Sequence, residues 1–160
     1  MKSPIYYQQS PCPFGTLHIY ADEQHLKAVL FESWNKVSSH EIINKSNHVI
    51  EQTHRQLDEY FKGQRMNFDL PLKAEGTGFQ QTVWQTLCKI PYGQTWNYGQ
   101  LATAIGNKNA SRAVGAANGK NPISIIVPCH RVIGANGTLT GYAGGLKVKE
   151  WLLKHEGIID

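Results

Sequence analysis

The chain contains 160 residues, 41% of them hydrophobic, and carries a formal net charge of +4 at pH 7. This length and apolar content suit one compact unit, or two small subdomains that share an interface, and the positive charge favours a polyanionic partner. No stretch approaches the roughly 20 apolar residues that cross a membrane, and the first ten residues lack the apolar core of a signal peptide, so we expect a cytoplasmic monomer.

The three cysteines, Cys12, Cys88 and Cys129, are scattered along the chain. Their number is odd and no Cys-x-x-Cys motif occurs, so the sequence indicates neither a disulfide framework nor a structural zinc site. A reducing cytosol would keep these thiols free. We expect no bound metal. We also expect neither a membrane nor an obligate protein partner.

The first half of the chain predicts a small β-sheet. Residues 15–20 and 26–32 have the apolar pattern of strands, and the polar residues 21–24 between them are typical of a hairpin turn. A further short strand at residues 67–70 is expected to return to the same sheet. Residues 71–78 contain two glycines and a proline and are predicted to form a linker.

One helix is predicted to accompany this sheet. Apolar residues recur at helical spacing over residues 47–62. Gly63 follows as a suitable C-terminal stop. The sequence therefore predicts an N-terminal sheet-and-helix subdomain over residues 1–75 and a second subdomain over residues 76–160.

The second half predicts mostly helices. Thr77 and Gln80 have the spacing of a capping box, and the apolar residues that follow form one face of a helix that ends at residues 91–93. Asn97 and Gln100 have the same spacing at the start of the next helix. The residues expected to face inward on that helix are Leu101, Ala104 and Ile105.

A third helix, rich in alanine, is predicted over residues 110–118, after a turn at residues 106–109. Two short helices joined by a tight turn that contains glycine fit the helix-turn-helix pattern of DNA-binding proteins. They equally fit an ordinary helical hairpin, and on this pattern alone both interpretations remain open.

Cys129 lies in the sequence Val-Pro-Cys-His-Arg-Val, directly after an apolar segment at residues 123–127. Pro128 restricts the backbone, so the chain is expected to turn there and present the thiol as it leaves a buried segment. A cysteine becomes a strong nucleophile as thiolate, which a base such as the adjacent His130 favours. We therefore predict that Cys129 is a catalytic nucleophile and not a core residue.

The segment around Cys129 resembles the active-site segment of the methylated-DNA–protein-cysteine methyltransferases, also known as O6-alkylguanine-DNA alkyltransferases. The resemblance covers about residues 78–157 and is specific because several motifs occur in matching order and spacing. These motifs are residues 121–134, Tyr98-Gly-Gln-Leu-Ala, Ser111-Arg-Ala-Val-Gly-Ala-Ala-Asn, and Gly141-Tyr-Ala-Gly-Gly-Leu followed by Lys149-Glu-Trp-Leu-Leu-Lys-His-Glu-Gly.

The resemblance implies a small ribonuclease-H-like α/β subdomain followed by a mostly helical catalytic subdomain, an α+β fold. It implies transfer of the alkyl group from O6-alkylguanine, or from O4-alkylthymine, in double-stranded DNA to Cys129. The product is a stable thioether, so the protein would act once, without a cofactor. A cysteine hydrolase and a DNA-binding relative without transfer activity are the alternatives, and the second is disfavoured because those relatives lack the cysteine.

The family resemblance also implies a relay from the cysteine through a water molecule to histidine and glutamate. His130 and Glu156 match the last two positions. Consecutive side chains usually diverge, so a bridging water between Cys129 and His130 agrees with their adjacency. Glu156 follows a predicted helix on which Val148, Trp151, Leu152 and His155 are expected to share one face.

Two further residues match supporting positions of the family. Tyr98 matches a tyrosine that donates a hydrogen bond toward N3 of the guanine and helps the nucleotide to leave the duplex. Asn121 matches an asparagine that supports the active-site turn. Each has a structural alternative, a packing tyrosine and a simple Asn-Pro turn.

Other matching residues would contact DNA. Arg112 would fill the gap left by the flipped nucleotide, and the small residues Ala113 and Gly115 on its helix would allow close approach to the groove. The backbone of Val132 and Ala143 and the ring of Tyr142 would line the base pocket. Phosphate contacts are expected from Lys89, Lys108, Lys120 and Arg131.

Overall fold

The computed structural model describes residues 4–33 and 41–160. The chain divides into two compact units, Met1–Glu75 and Gly76–Asp160. Within the described residues, no helix is both long and apolar enough to span a bilayer.

The first unit contains a four-stranded sheet with the order β3-β2-β1-β4. Its strands are β1 (Ile5–Cys12), β2 (Gly15–Ala21), β3 (Leu26–Leu30) and β4 (Ile42–Ile43). The predicted hairpin is confirmed, because β2 and β3 pair in antiparallel register. Strand β1 pairs with β2 in antiparallel and with β4 in parallel orientation.

Strands β1 and β4 were not predicted from the sequence. Strand β1 contains polar residues and a proline, and it is stabilised by contacts across the sheet. Tyr7 pairs with Tyr20 on β2 and its hydroxyl lies 2.6 Å from Nδ1 of His18. Such cross-strand pairs contribute roughly 0.2–1 kcal/mol each.

Helix α1 (His48–Phe61) follows the prediction closely. The side chain of Asn47 caps its N-terminus by accepting a hydrogen bond from Ile50 N. Gly63 follows the C-terminus with a φ of 76°, a conformation that glycine adopts without strain. The predicted strand at residues 67–70 is wrong, because the chain meets the sheet only in an isolated bridge between Leu72 and Leu26.

The second unit begins with helices α2 (Gly78–Leu87) and α3 (Tyr98–Ala104). Both start with complete capping boxes, Thr77 with Gln80 and Asn97 with Gln100, as the spacing predicts. Helix α4 (Ser111–Gly119) follows a short turn and packs against α2 and α3. One inward position was assigned wrongly: Ala104 is exposed, and Ala102 is buried in its place.

Indole Nε1 of Trp84 on α2 donates a 2.8 Å hydrogen bond to the carbonyl oxygen of Ala117 on α4. A Cβ on Gly76 would lie 2.5 Å from the Trp84 ring, so only glycine fits at this point. The hydrogen bond from Trp84 therefore connects helix α2 to helix α4.

The remaining elements surround Cys129. They are β5 (Trp96–Asn97), a 3₁₀ turn (Cys129–Arg131), β6 (Val132–Ile133), which pairs with β5 in parallel orientation, and α5 (Leu146–His155). On α5, Leu152 is buried and Val148, Trp151 and His155 are half-buried, and the rings of Trp151 and His155 stack with centroids 4.8 Å apart, as expected of residues on one face. The most deeply buried stripe is a neighbouring one, which reaches the residue after the helix: Lys149, Leu152, Leu153 and Glu156.

Candidate active site

The apolar segment at residues 123–127 is buried as predicted. The chain turns within this segment, before it reaches Pro128. Ile125 has a φ of 73°, an unusual conformation for a β-branched residue. The side chain of Asn121 supports this turn: its Oδ1 accepts a hydrogen bond from Ile123 N, and its Nδ2 donates to Val127 O at 2.9 Å. The segment therefore closes into a compact turn that leads to Pro128.

Cys129 begins the 3₁₀ turn as expected, but the expectation that it lies outside the core is wrong, because the residue is buried and only 6% exposed. Its Sγ lies 3.2 Å from Asn121 Nδ2, which donates to it. Burial raises the pKa of the Cys129 thiol above its ordinary value of 9.0, and the Asn121 hydrogen bond and the charge of Lys149 act in the opposite direction. The thiol therefore requires a base at neutral pH.

His130 and Arg131 both contact Glu156, and all three side chains are buried. His130 Nε2 lies 2.7 Å from Glu156 Oε2, and Arg131 Nε donates to Glu156 Oε1 at 2.7 Å. Arg131 also donates through its second terminal nitrogen to Oε2, at 3.2 Å. A single carboxylate thus holds both the imidazole and a guanidinium.

This arrangement sets the protonation states of Glu156 and His130. Burial opposes ionisation of Glu156, but hydrogen bonds and charges from His130 and Arg131 outweigh it and lower the pKa of Glu156 to about 2. Burial lowers the pKa of His130. Glu156 is therefore ionised and His130 neutral at pH 7, with Arg131 balancing the carboxylate. Nδ1 of His130 is buried and lacks a protein hydrogen-bond partner among the described residues, so it remains available to accept a proton.

Lys149 is a site residue that sequence reasoning missed. Its side chain is fully buried, and Nζ donates to the carbonyl oxygen of Val132 at 2.6 Å. Burial lowers the pKa of Lys149, whereas the nearby Cys129 raises it. A signal was present in the sequence, because Lys149 lies at positions i−3, i−4 and i−7 relative to Leu152, Leu153 and Glu156.

Tyr98 lies at the start of α3 and is half-buried. Its hydroxyl oxygen lies 2.6 Å from Oγ1 of Thr140. Thr140 precedes the loop that carries Tyr142, which is half-buried, and Ala143, which is exposed. Gly145 ends this loop with a φ of 94° and donates to the carbonyl oxygen of Tyr142.

The predicted DNA-contacting residues lie on α4. Arg112 and Ala113 are exposed and Gly115 is half-buried, while Val114 and Ala117 face the interior. A Cβ on Gly115 would lie 3.5 Å from the Tyr98 ring. One face of α4 thus carries small residues and one arginine toward solvent, and it adjoins Tyr98.

Three of the four residues expected to contact phosphates are exposed to solvent. Lys89, Lys108 and Lys120 are exposed. Arg131 is not available, because it is buried and donates to Glu156 and to the carbonyl oxygen of Ile90. Its guanidinium also lies 5.7 Å from the centre of the Tyr92 ring. Among residues 4–33 and 41–160, no cluster of three or more His, Cys, Asp or Glu could hold a metal ion.

Comparison with protein families gives two matches. The DNA-binding domain of 6-O-methylguanine DNA methyltransferase matches residues 78–158. The ribonuclease-like domain of the same family matches residues 5–74.

Individual relatives agree over nearly the whole chain. A protein of Methanosarcina acetivorans named methylated-DNA–protein-cysteine methyltransferase is 50% identical over 154 residues, which are 96% of this chain and 99% of that protein. A Shigella flexneri protein of the same name is 49% identical, with 92% of each chain covered. The crystal structure of Mycobacterium tuberculosis OGT in complex with DNA is 42% identical with a TM-score of 0.86, and covers 94% of this chain and 92% of that one.

Proposed function

Because the chain belongs to the 6-O-methylguanine DNA methyltransferase family, we propose that it repairs alkylated DNA by moving the alkyl group from O6 of guanine to Cys129. The repair is a direct reversal, since the base is restored in place. The observation that carries this proposal is a cysteine on a tight turn beside a buried His130–Glu156–Arg131 cluster.

The reaction is a displacement at the alkyl carbon. The Cys129 thiolate attacks that carbon, the new S–C bond forms as the C–O6 bond breaks, and the guanine leaves with the electron pair and takes up a proton. The thiol proton passes through a bridging water to Nδ1 of His130, because Nε2 is held by Glu156. Glu156 stabilises the imidazolium that forms.

The other predicted residues act on the base. Tyr98 donates a hydrogen bond to N3 of the departing guanine, where negative charge develops. Arg112 fills the gap in the duplex while the nucleotide lies in the pocket. Tyr142, the Ala143 amide and the Val132 carbonyl line that pocket. Asn121 holds the turn that carries the thiol.

Two alternatives differ from this function in measurable ways. A cysteine hydrolase would release its acyl group and turn over repeatedly, whereas a thioether persists and each chain reacts once. A DNA-binding protein without transfer activity would need no nucleophile at residue 129. Cys129 and its partner Asn121 support the transfer reaction.

The test is intact-protein mass spectrometry after incubation with a duplex that contains O6-methylguanine. We expect a gain of one methyl mass per chain, mapped to Cys129, and no further gain with excess substrate. Cys129→Ser is expected to lose the gain and still bind the duplex. Cys88→Ser is the matched control, because Cys88 is a free and exposed cysteine, and it should react as the wild type does. Methylation of Cys129→Ser would contradict the assignment.

A further inference from the structure

We propose that Thr140 is a positioning residue that connects the ammonium group of Lys149 to the hydroxyl of Tyr98, and that it strengthens the hydrogen bond Tyr98 donates to the departing base. This inference rests on the proposed transfer reaction and extends it to a residue that has no assigned role. The three residues form a polar relay that runs from Lys149 on helix α5 through Thr140 to Tyr98 on helix α3.

Three side chains form the relay. Oγ1 of Thr140 lies 2.6 Å from the Tyr98 hydroxyl oxygen. Nζ of Lys149 lies 3.4 Å from the same Oγ1 and 3.4 Å from the carbonyl oxygen of Thr140. The ammonium is fixed in place by its shorter bond of 2.6 Å to Val132 O. Thr140 is therefore the group through which a buried charge reaches Tyr98.

The chemistry of the groups sets one of the two contacts, and the direction of the other is part of the proposal, because either hydroxyl can donate between Thr140 and Tyr98. An ammonium group can only donate, so Oγ1 of Thr140 is the acceptor of that contact. The single Thr140 proton is then free for the Tyr98 oxygen. In the relay that we propose, Tyr98 accepts this proton and keeps its own, which can be donated to a third group. The opposite arrangement, in which Tyr98 donates to Thr140, would leave the phenol without a proton for the base.

This order of donors suits the reaction. Each bond in a chain of hydrogen bonds polarises the next, so a positive charge at one end makes the donor at the other end stronger. The departing guanine develops negative charge that a strong donor stabilises in the transition state. The contact with Lys149 is long, and its influence on Thr140 is therefore largely electrostatic. The direct bond between Thr140 and Tyr98 is short and provides most of the expected effect.

The test uses two substitutions of similar size. Thr140→Val removes the hydroxyl and keeps the branched shape, and Thr140→Ser keeps the hydroxyl. With a duplex that contains O6-methylguanine, we expect Thr140→Val to slow methyl transfer about five- to tenfold, the effect of losing one hydrogen bond. Thr140→Ser should stay within about twofold of the wild type, and duplex affinity should not change in either variant.

A double-mutant cycle shows whether Thr140 acts through Tyr98. In a Tyr98→Phe background, Thr140→Val is expected to cause no further loss, because the relay then has no end group. An equal loss in both backgrounds would show that Thr140 acts by packing and would overturn the proposal. So would a Thr140→Val protein that transfers methyl as fast as the wild type.

A substrate that lacks the N3 acceptor provides an independent measurement. With 3-deaza-O6-methylguanine in the duplex, the ratio of wild-type to Thr140→Val rates should fall to about one. A ratio that stays unchanged contradicts the relay. Partial unfolding of the variant cancels, because each protein is compared on two substrates. If the wild type transfers no methyl group to Cys129 at all, the proposed function fails, and that result is distinct from failure of the relay.

Discussion

Glu156 determines the charge state of the residues beside Cys129. Its two oxygens contact both His130 and Arg131 in the interior. Burial is the largest cause that lowers the pKa of His130, and the charge of Arg131 acts in the same direction, whereas Glu156 raises it. Arg131 also balances the charge of the carboxylate, so the buried carboxylate does not require a protonated imidazole.

Glu156 also makes stability depend on pH. The pKa of Glu156 in the folded protein is about 2, below its ordinary 4.5, so its contribution is complete above pH 4.5 and is lost as pH falls toward 2. We expect Glu156→Gln to reduce the free energy of unfolding at pH 7 by on the order of 3 kcal/mol, and by less than half as much, about 1.4 kcal/mol, at pH 3. Urea unfolding of the wild type and the variant at pH 7 and at pH 3 measures these differences in the free energy of unfolding.

Glu150→Gln is the matched control for Glu156→Gln. Glu150 pairs with Lys154 on the surface of α5, where an ion pair contributes little. Glu150→Gln should therefore change the free energy of unfolding little at either pH. An equal loss at pH 7 and pH 3 for Glu156→Gln would contradict the low pKa of this carboxyl group.

Lys149 is expected to influence the reactivity of Cys129. Burial already raises the pKa of the thiol, and the charge of Lys149 opposes that rise. Lys149→Met should therefore raise the pKa of Cys129 further and shift the pH profile of methyl transfer to higher pH. Lys154→Met, on the exposed side of the same helix, is the control. An unshifted profile for Lys149→Met, with only a lower plateau, would indicate a structural role alone.

At the scale of elements, local sequence signals predicted the helices well. The capping residues Asn47, Thr77 and Asn97 lie where their spacing places them, because a cap depends on residues within one turn of the helix. Strand β1 could not be predicted in this way. Its stability comes from Tyr20 and His18 on the neighbouring strand, and pairing of this kind is decided by tertiary contacts.

The candidate site shows the same division between local and tertiary information. The motif predicted Cys129, His130 and Asn121 as neighbours of one turn. It did not predict that Arg131 is directed inward, because a surface phosphate contact and a buried pair with Glu156 look identical in sequence. Lys149 was missed for the related reason that lysine is rarely buried without a partner, and its partner is a backbone carbonyl.

Helix α4 provides a test of nucleotide flipping. Arg112 is exposed beside the small residues Ala113 and Gly115, so Arg112→Ala should leave the fold unchanged. We expect it to slow repair of O6-methylguanine in a duplex by at least about tenfold, and to change reaction with the free base little, since only the duplex needs the gap filled. Arg55→Ala, an exposed arginine on α1, is the control. Equal losses on both substrates would contradict a flipping role.

At the scale of the molecule, the net charge is distributed unequally between the two units of the chain. The unit Gly76–Asp160 contains eight Lys and Arg against three Asp and Glu, a net charge of +5, whereas Met1–Glu75 contains eight against nine, a net charge of −1. The positive charge therefore belongs to the unit that carries α4 and Cys129. Such an excess favours association with DNA through its phosphates.

The salt dependence of DNA binding measures how many of these positively charged side chains contact phosphate groups. Four exposed cations of this unit are candidates, Lys89, Lys108, Arg112 and Lys120. If all four make contacts, the logarithm of the association constant should fall with the logarithm of salt concentration with a slope of about −3.6. Lys108→Gln should reduce that slope by about 1 in magnitude and weaken binding to any sequence alike. Lys62→Gln is the control, because Lys62 lies in the other unit and pairs with Asp58, and it should leave the slope unchanged. If both substitutions change the slope equally, binding responds to total charge and not to this surface.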